Sequence, residues 1–332
     1  PSFNPKISTS FRKLFFAKPA GRLMDSLFSG LLQESISGTA LGCIYALIAL
    51  GFTLIYKASE VVNFAQGELM MVGAYVNFFL VTSFMAESGE PTGWIFFAGF
   101  IGSIVFAVLF GWFLDRIINR PLKDEPVFSV IMATISLSII LRAVVSMFAG
   151  PMSLIPVSPF GNQIVSVGGI VISILDISII VSAILLVVLF YYFFNKTKWG
   201  IAIQATSEDP VAAQLMGIAV KRVYGLVWIF SAIVATISGI LLAPRMSLLD
   251  TSMGFLGLKA FPAAVLGGFG SITGAIAGGI IMGVIETISM GTLSFYFSWI
   301  KEMNDIIVWI VLIAVLMVKP DGLFGVEKVR KV

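Results

Sequence analysis

The chain has 332 residues, 58% of them hydrophobic and 12% charged, against about 45–50% and 25% in soluble domains. Such a composition leaves no room for a sizeable soluble domain and points to an all-α integral membrane protein. A single cysteine and the absence of histidine exclude a disulfide framework, zinc clusters and histidine-based catalysis, and in a net charge of +3 the location of the basic residues means more than their sum.

Residues 1–28 carry Lys6, Arg12, Lys13, Lys18 and Arg22 and lack the apolar run and small-residue cleavage site of a signal peptide. They read as a cytoplasmic tail. Phe11, Leu14 and Phe15, then Leu23, Met24, Leu27 and Phe28, fall at helical spacing, so the tail is either disordered or partly an interfacial helix. The transmembrane body is expected over 29–318, followed by a second cytoplasmic tail at 319–332. Runs of about 20 apolar residues, the length of helix that crosses about 30 Å of hydrocarbon, follow at 36–56, 94–114, 127–148, 170–194 and 223–242. Further spans are expected at 69–85 and 271–295, with a shorter one at 306–318.

Sixteen of the twenty-one Lys and Arg residues sit in the N-terminal tail, at 116–123, at 196–222 and from Lys319 onward. The positive-inside rule places all four, and so both termini, in the cytoplasm. The stretches 86–92 and 149–168 hold neither Lys nor Arg and are expected outside. Only three clear spans then separate two cytoplasmic segments in each half, although an even number is required. The missing crossings are expected at 58–68 (ASEVVNFAQGE) and 253–270 (MGFLGLKAFPAAVLGGFG), each part helix and part unwound backbone. Unwound backbone at membrane depth is tolerated where it is buried or lines a cavity, and paired broken segments point to a transport site. The expectation is about ten crossings in two pseudo-repeated halves with the same in-to-out start, with N-F-A-Q-G at 63–67 matching K-A-F-P-A-A at 259–264.

Small residues at Gly38 and Gly42, Gly274 and Gly278, and Gly279 and Gly283 allow close helix approach, within the subunit or between subunits. Asp209, Pro210 and Gly217 have the order of an N-cap, a first-turn proline and a C-terminal stop. They enclose an apolar Val-Ala-Ala-Gln-Leu-Met helix in the largest cytoplasmic loop, 195–222, which either docks into a partner or lies flat on the membrane. Ionisable residues at membrane depth single out Glu68, Lys259 and Glu286. Glu68 and Lys259 either face the pathway or form a pair that closes the two broken segments. Asn63, Gln66 and the backbone at Gly67 can offer polar groups to a substrate, with Phe64, Phe261 and Pro262 as apolar walls. Arg142 and Asp176 are expected to snorkel or face a polar crevice.

Ala212-Ala213-x-x-x-Gly217 resembles the E-A-A-x-x-x-G coupling loop of ABC importer permeases, with Val211 where that loop often has Glu. With YALIALGFTLIYKASEVVNFAQGELMMVGAYV, GFLGLKAFPAAVLGGFGSITGAIAGG and the terminal KPDGLFG, it resembles the branched-chain amino acid permease family, LivH-type, over about residues 30–332. The resemblance implies a multi-pass permease subunit of the bacterial inner membrane that alternates access and catalyses no covalent step. It implies two ATP-binding subunits, a second permease subunit, homologous or identical, an external substrate-binding protein and membrane lipid as partners, with no cofactor and no nucleic acid. The coupling residues would be Glu208, Asp209, Pro210, Ala212, Ala213 and Gly217. Urea or short-amide importers are similar; a secondary transporter or a channel is the alternative of another class.

Overall fold

The computed structural model describes residues 20–88, 93–122, 125–150, 152–159, 163–167, 170–296 and 303–325. In chain order the helices are α1 (Ala20–Ser59), α2 (Gln66–Ser88), α3 (Gly93–Leu114), α4 (Val127–Ala149), α5 (Ile174–Lys196), α6 (Lys198–Glu208), α7 (Pro210–Leu215), α8 (Val220–Met246), α9 (Met253–Leu258), α10 (Ala260–Gly267), α11 (Ile272–Ile288) and α12 (Asn304–Val318). Single π turns extend α3 through Asp115–Asn119 and α11 through Ser289–Leu293. Seven helices, α1 to α5, α8 and α11, are long and apolar enough to cross a membrane, while α9–α10 and α12 are shorter apolar pieces. The protein is therefore an all-α membrane protein.

One feature without a sequence-level signal is a hairpin between α4 and α5. Strands β1 (Ile164–Val167) and β2 (Ile170–Ser173) pair antiparallel, with Val165 opposite Ile172. The span expected from residue 170 consequently starts as a strand. It becomes helical only at Ile174, where the Ser173 hydroxyl accepts from the Leu175 N–H at 3.2 Å.

The bundle has two distinct ends. At the α7 end, Tyr56 and Lys57 of α1 and Glu60 just after it share a cleft with Asn195, Gln204 and Ser271. Lys57 also shares a neighbouring cleft with Asn119, Glu125 and Tyr224. At the hairpin end, Arg245 of α8 pairs with Asp176 of α5 and donates to the carbonyl and hydroxyl oxygens of Ser37 at 3.0 and 2.9 Å. Leu154 and Leu249 exchange backbone hydrogen bonds of 2.9 and 2.7 Å there.

These contacts correct two expectations. Helix α1 runs from the hairpin end at Ser37 to the α7 end at Tyr56, and α8 runs the opposite way, from Tyr224 to Arg245. The spans starting at 36 and 223 therefore do not share a direction, and the pseudo-repeat with a common in-to-out start does not hold. Residues 58–68, in turn, are not a crossing of their own. They comprise the last turn of α1, an unwound stretch at 60–65, and the first turn of α2, which starts deep in the bundle beside Gly51 and Ser231. The parity count rested on placing residue 36 on the side of the basic tail. Residues 1–19 and 326–332, including most of that tail, lie outside the described residues.

The glycine pairs settle into packing within the subunit. A methyl group on Gly42 would come within 2.6 Å of the Ile280 Cα, and one on Gly38 within 2.8 Å of the Val284 Cα. Gly279 and Gly283 return the contact onto Ala46 and Gly42, so α1 and α11 touch backbone to backbone. Gly274 and Gly278 make the same approach to α10, at Gly267 and Ala263.

Candidate functional site

The first broken segment owes its shape to two residues. Glu60 takes a left-handed conformation, φ 56, that ends α1. Asn63 then caps the start of α2: its Oδ1 accepts from the Ala65 N–H at 3.0 Å, and its carbonyl accepts from the Gln66 N–H at 3.2 Å. Buried Gln66 continues the polar seam, with Oε1 2.8 Å from the Ser231 hydroxyl and Nε2 donating to the Ser231 carbonyl at 3.4 Å. The second segment is broken by Pro262, which has no N–H to give to the Leu258 carbonyl, so the helix restarts as α10 with the proline in its first turn. At its far end Gly268 and Gly270 have φ of 99° and 91°. The Leu323 and Phe324 N–H groups satisfy the Leu266 and Gly267 carbonyls at 2.8 and 3.0 Å, so the terminal KPDGLFG turn caps α10.

The two broken segments meet. A methyl group on Gly67 would overlap the Gly254 carbonyl oxygen and lie 3.3 Å from the Gly257 Cα, and one on Gly254 would lie 2.6 Å from Glu68 Oε1. Only glycines permit this approach. Around it, Phe64 and Phe261 lie 6.0 Å apart, and Phe261 also meets Phe52 at 5.8 Å and Phe269 at 5.5 Å. Pro262 is buried beside them.

The charged partners differ from the expected ones. Glu68 and Lys259 are not paired with each other. Glu68 pairs with Arg142 of α4, and Lys259 pairs with Glu286 at 3.1 Å, where the Tyr45 hydroxyl donates to the other oxygen at 2.7 Å. Arg142 and Asp176, read as peripheral, are each half of an ion pair joining helices. Arg142 also places its guanidinium 3.7 Å from the centre of the Phe255 ring. No spacing in the sequence marked Arg142 as a partner of Glu68, because the contact joins residues 74 apart on separate helices. Its isolation as a charge in an apolar run was the available signal.

The helix expected between Asp209 and Gly217 forms as α7. Asp209 Oδ1 accepts from the Val211 and Ala212 N–H groups at 2.9 Å each, with Pro210 in the first turn. Gly217, φ 84, closes the helix. The Gly217 N–H donates to the Gln214 carbonyl and the Ile218 N–H to the Ala213 carbonyl, both at 3.0 Å, a Schellman stop. The faces are distinct: Ala213 is 4% exposed and packs inward, while Leu215 and Met216 are 84% and 85% exposed and Val211 and Ala212 are also exposed. Glu208 lines the clefts beside α7.

The family model described as branched-chain amino acid transport system / permease component matches residues 35–316. The high-affinity branched-chain amino acid transport system permease protein LivH of Escherichia coli K12 is 36% identical over 93% of this chain and 100% of its own length. BraD of Pseudomonas aeruginosa, described as a permease of the same kind of system, is 32% identical over 91% of this chain and 98% of its own. A probable branched-chain amino acid transport permease, LivH of Methanocaldococcus jannaschii, is 32% identical over 85% and 88%. With the family model matching residues 35–316 and relatives above 30% identity over most of their length, the chain belongs to the branched-chain amino acid transport permease family.

Proposed function

We propose that this chain is one of two permease subunits in an ATP-driven importer of branched-chain or related small amino acids in the bacterial inner membrane. Two ATP-binding subunits would power it and an external binding protein would deliver the substrate. Helix α7 carries the reading: it is capped at both ends and presents Leu215 and Met216 almost fully exposed. Apolar side chains held rigidly in that way need a groove to cover them. No G-x-x-x-x-G-K-[ST] loop occurs in the sequence, so the energy arrives from a partner that binds nucleotide. Asp209, Pro210, Ala212 and Gly217 shape the docking helix, Ala213 fixes it to its own subunit, and Glu208 borders it. The substrate pathway would pass the junction of the two broken segments, where Asn63, Phe64, Gln66, Gly67, Glu68, Lys259, Phe261 and Pro262 gather.

The α7 end is assigned to the cytoplasm because Arg116, Arg120, Lys196, Lys198, Lys221, Arg222 and Lys319 belong to it. The described residues then make nine passes: α1, α2, α3, α4, α5, α8, α9 with α10, α11 and α12. Ten passes with both termini inside require the tenth to lie before Ser29. Cysteine labelling at Leu31 and Glu60 in a Cys43→Ser background separates the possibilities. Leu31 should react from outside and Glu60 from inside, and the reverse would overturn the assignment.

The test of function is leucine uptake by the complete complex in liposomes. Uptake should require both ATP and the binding protein. Uptake driven by an ion gradient alone would favour a secondary transporter, leak without ATP a channel, and ATP-dependent uptake of urea but not leucine an amide importer.

A further inference from the structure

We propose that Glu68, Arg142 and Phe255 form a clamp for a zwitterionic amino acid in transit, with Arg142 taking the carboxylate, Glu68 the ammonium group and Phe255 the apolar side chain. The inference rests on the importer reading above and adds the residues that meet the substrate. Arg142 is the only ionisable residue of α4, about 22 Å along that helix from its start. A guanidinium turned to hydrocarbon at that depth is costly. Arg142 instead turns toward α2 and α9, where it donates from Nη2 to Glu68 Oε1 and lies against the exposed Phe255 ring. Its part-exposed edge therefore opens beside an aromatic face.

The pair is left incomplete in a complementary way. Glu68 is 1% exposed and its Oε2 is buried with no hydrogen-bond partner among the described residues, and the same holds for Arg142 Nε. Two other buried carboxylates, those of Asp115 and Glu286, are closed on both oxygens. Asp115 accepts from Asn119 at 2.8 Å and Arg120 at 2.9 Å, and Glu286 accepts from Tyr45 and Lys259. An ion pair that serves packing alone gains from such closure, since an unmade bond in a buried polar group is expensive. The Glu68–Arg142 pair lacks one donor and one acceptor. A ligand that carries a cation and an anion on one carbon supplies both, each through a charge-assisted bond.

The position also couples the pair to the moving parts. Glu68 stands in the first turn of α2, directly after the unwound residues 60–65, and its Oε1 lies against the Gly254 backbone at the start of α9. A shift of either broken segment would part Glu68 from Arg142 and let the substrate's two charges replace the pair. Phe255, one residue on from Gly254, would then flank an apolar side chain.

The complete complex, with its second permease, ATP-binding subunits and binding protein, decides this through ATP-driven uptake of radiolabelled leucine, normalised to permease in the membrane. Glu68→Gln and Arg142→Gln should each lower uptake per permease in the membrane at least about tenfold relative to the unsubstituted complex. The double substitution should recover membrane level but not uptake, whereas a purely structural pair recovers both. Recovery of uptake in the double variant would overturn the clamp. If the single variants fail to assemble, Arg142→Lys, which keeps the charge opposite Glu68 but loses the planar fork, and Phe255→Ala take over. Each should lower uptake at least about threefold at normal level, and unchanged uptake in both would reject the proposal. Absence of leucine uptake in the unsubstituted complex would instead remove the importer reading itself.

Discussion

The junction of the broken helices and the tip helix α7 invert the usual relation between burial and polarity. At the junction the buried side chains are Asn63, Gln66 and Glu68; on α7 the exposed ones are Val211, Leu215 and Met216. Burying polar groups and exposing apolar ones both cost free energy. Under the proposed function each region acquires its partner from elsewhere, substrate in one case and a protein groove in the other. Of the other charged contacts, Asp115 with Arg120 closes the end of the α3 span at the α7 end, and Asp176 with Arg245 joins α5 to α8 at the hairpin end.

The comparison breaks first at the ion pairs, where the largest effects are expected. Removing one member of a buried pair strands the other, at a cost of about 3–5 kcal/mol, so Glu68→Gln or Arg142→Gln should lower the unfolding temperature of the purified permease sharply. The observed ion pairs set the pattern of coupling. Glu68 with Arg142, and Lys259 with Glu286, should each show a coupling energy of about 0.5–3 kcal/mol in double-mutant cycles, while Glu68 with Lys259 should add within about 0.5 kcal/mol. Strong Glu68–Lys259 coupling would mean that the junction is wired differently.

Next in size is the glycine contact. Gly67→Val or Gly254→Val forces side-chain atoms onto the backbone of the other segment, and overpacking of this kind costs about 1–3 kcal/mol. The check is thermal unfolding alongside uptake, and tolerance of both substitutions would show that the segments do not touch.

How much of this was readable in the sequence depends on the range of the interaction. The caps of α7 were legible because Asp209, Pro210 and Gly217 act on backbone groups within three residues of themselves. The interruptions at 60–65 and at Pro262 were legible for the same local reason. The inward face of Ala213 was not, since burial depends on what α7 packs against. The choice of Arg142 for Glu68 and Glu286 for Lys259 was also hidden, because four charges at similar depth admit several pairings and only the three-dimensional arrangement selects one. The opposite senses of α1 and α8 were hidden as well, because the order of spans along the chain does not reveal that residues 60–65 turn back into the bundle instead of crossing it.

Smaller effects belong to α7. Asp209→Ala removes a cap that satisfies two N–H groups, a loss of about 1 kcal/mol, and should reduce stimulated ATP hydrolysis without lowering the amount of permease in the membrane. Leu215→Glu and Met216→Glu should change stability by no more than about 0.5 kcal/mol, as expected for exposed positions. They should nevertheless weaken association with the ATP-binding subunits, measured by co-purification, because a carboxylate would have to be desolvated in the groove. Undiminished co-purification of both variants would place the docking face elsewhere.

The most direct test sets the two regions side by side in one reconstituted complex, measuring leucine uptake and substrate-stimulated ATP hydrolysis together for Met216→Glu and for the Glu68→Gln/Arg142→Gln double variant. The tip variant should lose both activities in proportion, whereas the junction variant should keep basal hydrolysis and lose uptake. Full uptake in the tip variant, or full uptake in the junction variant, would contradict the division of labour between the two regions.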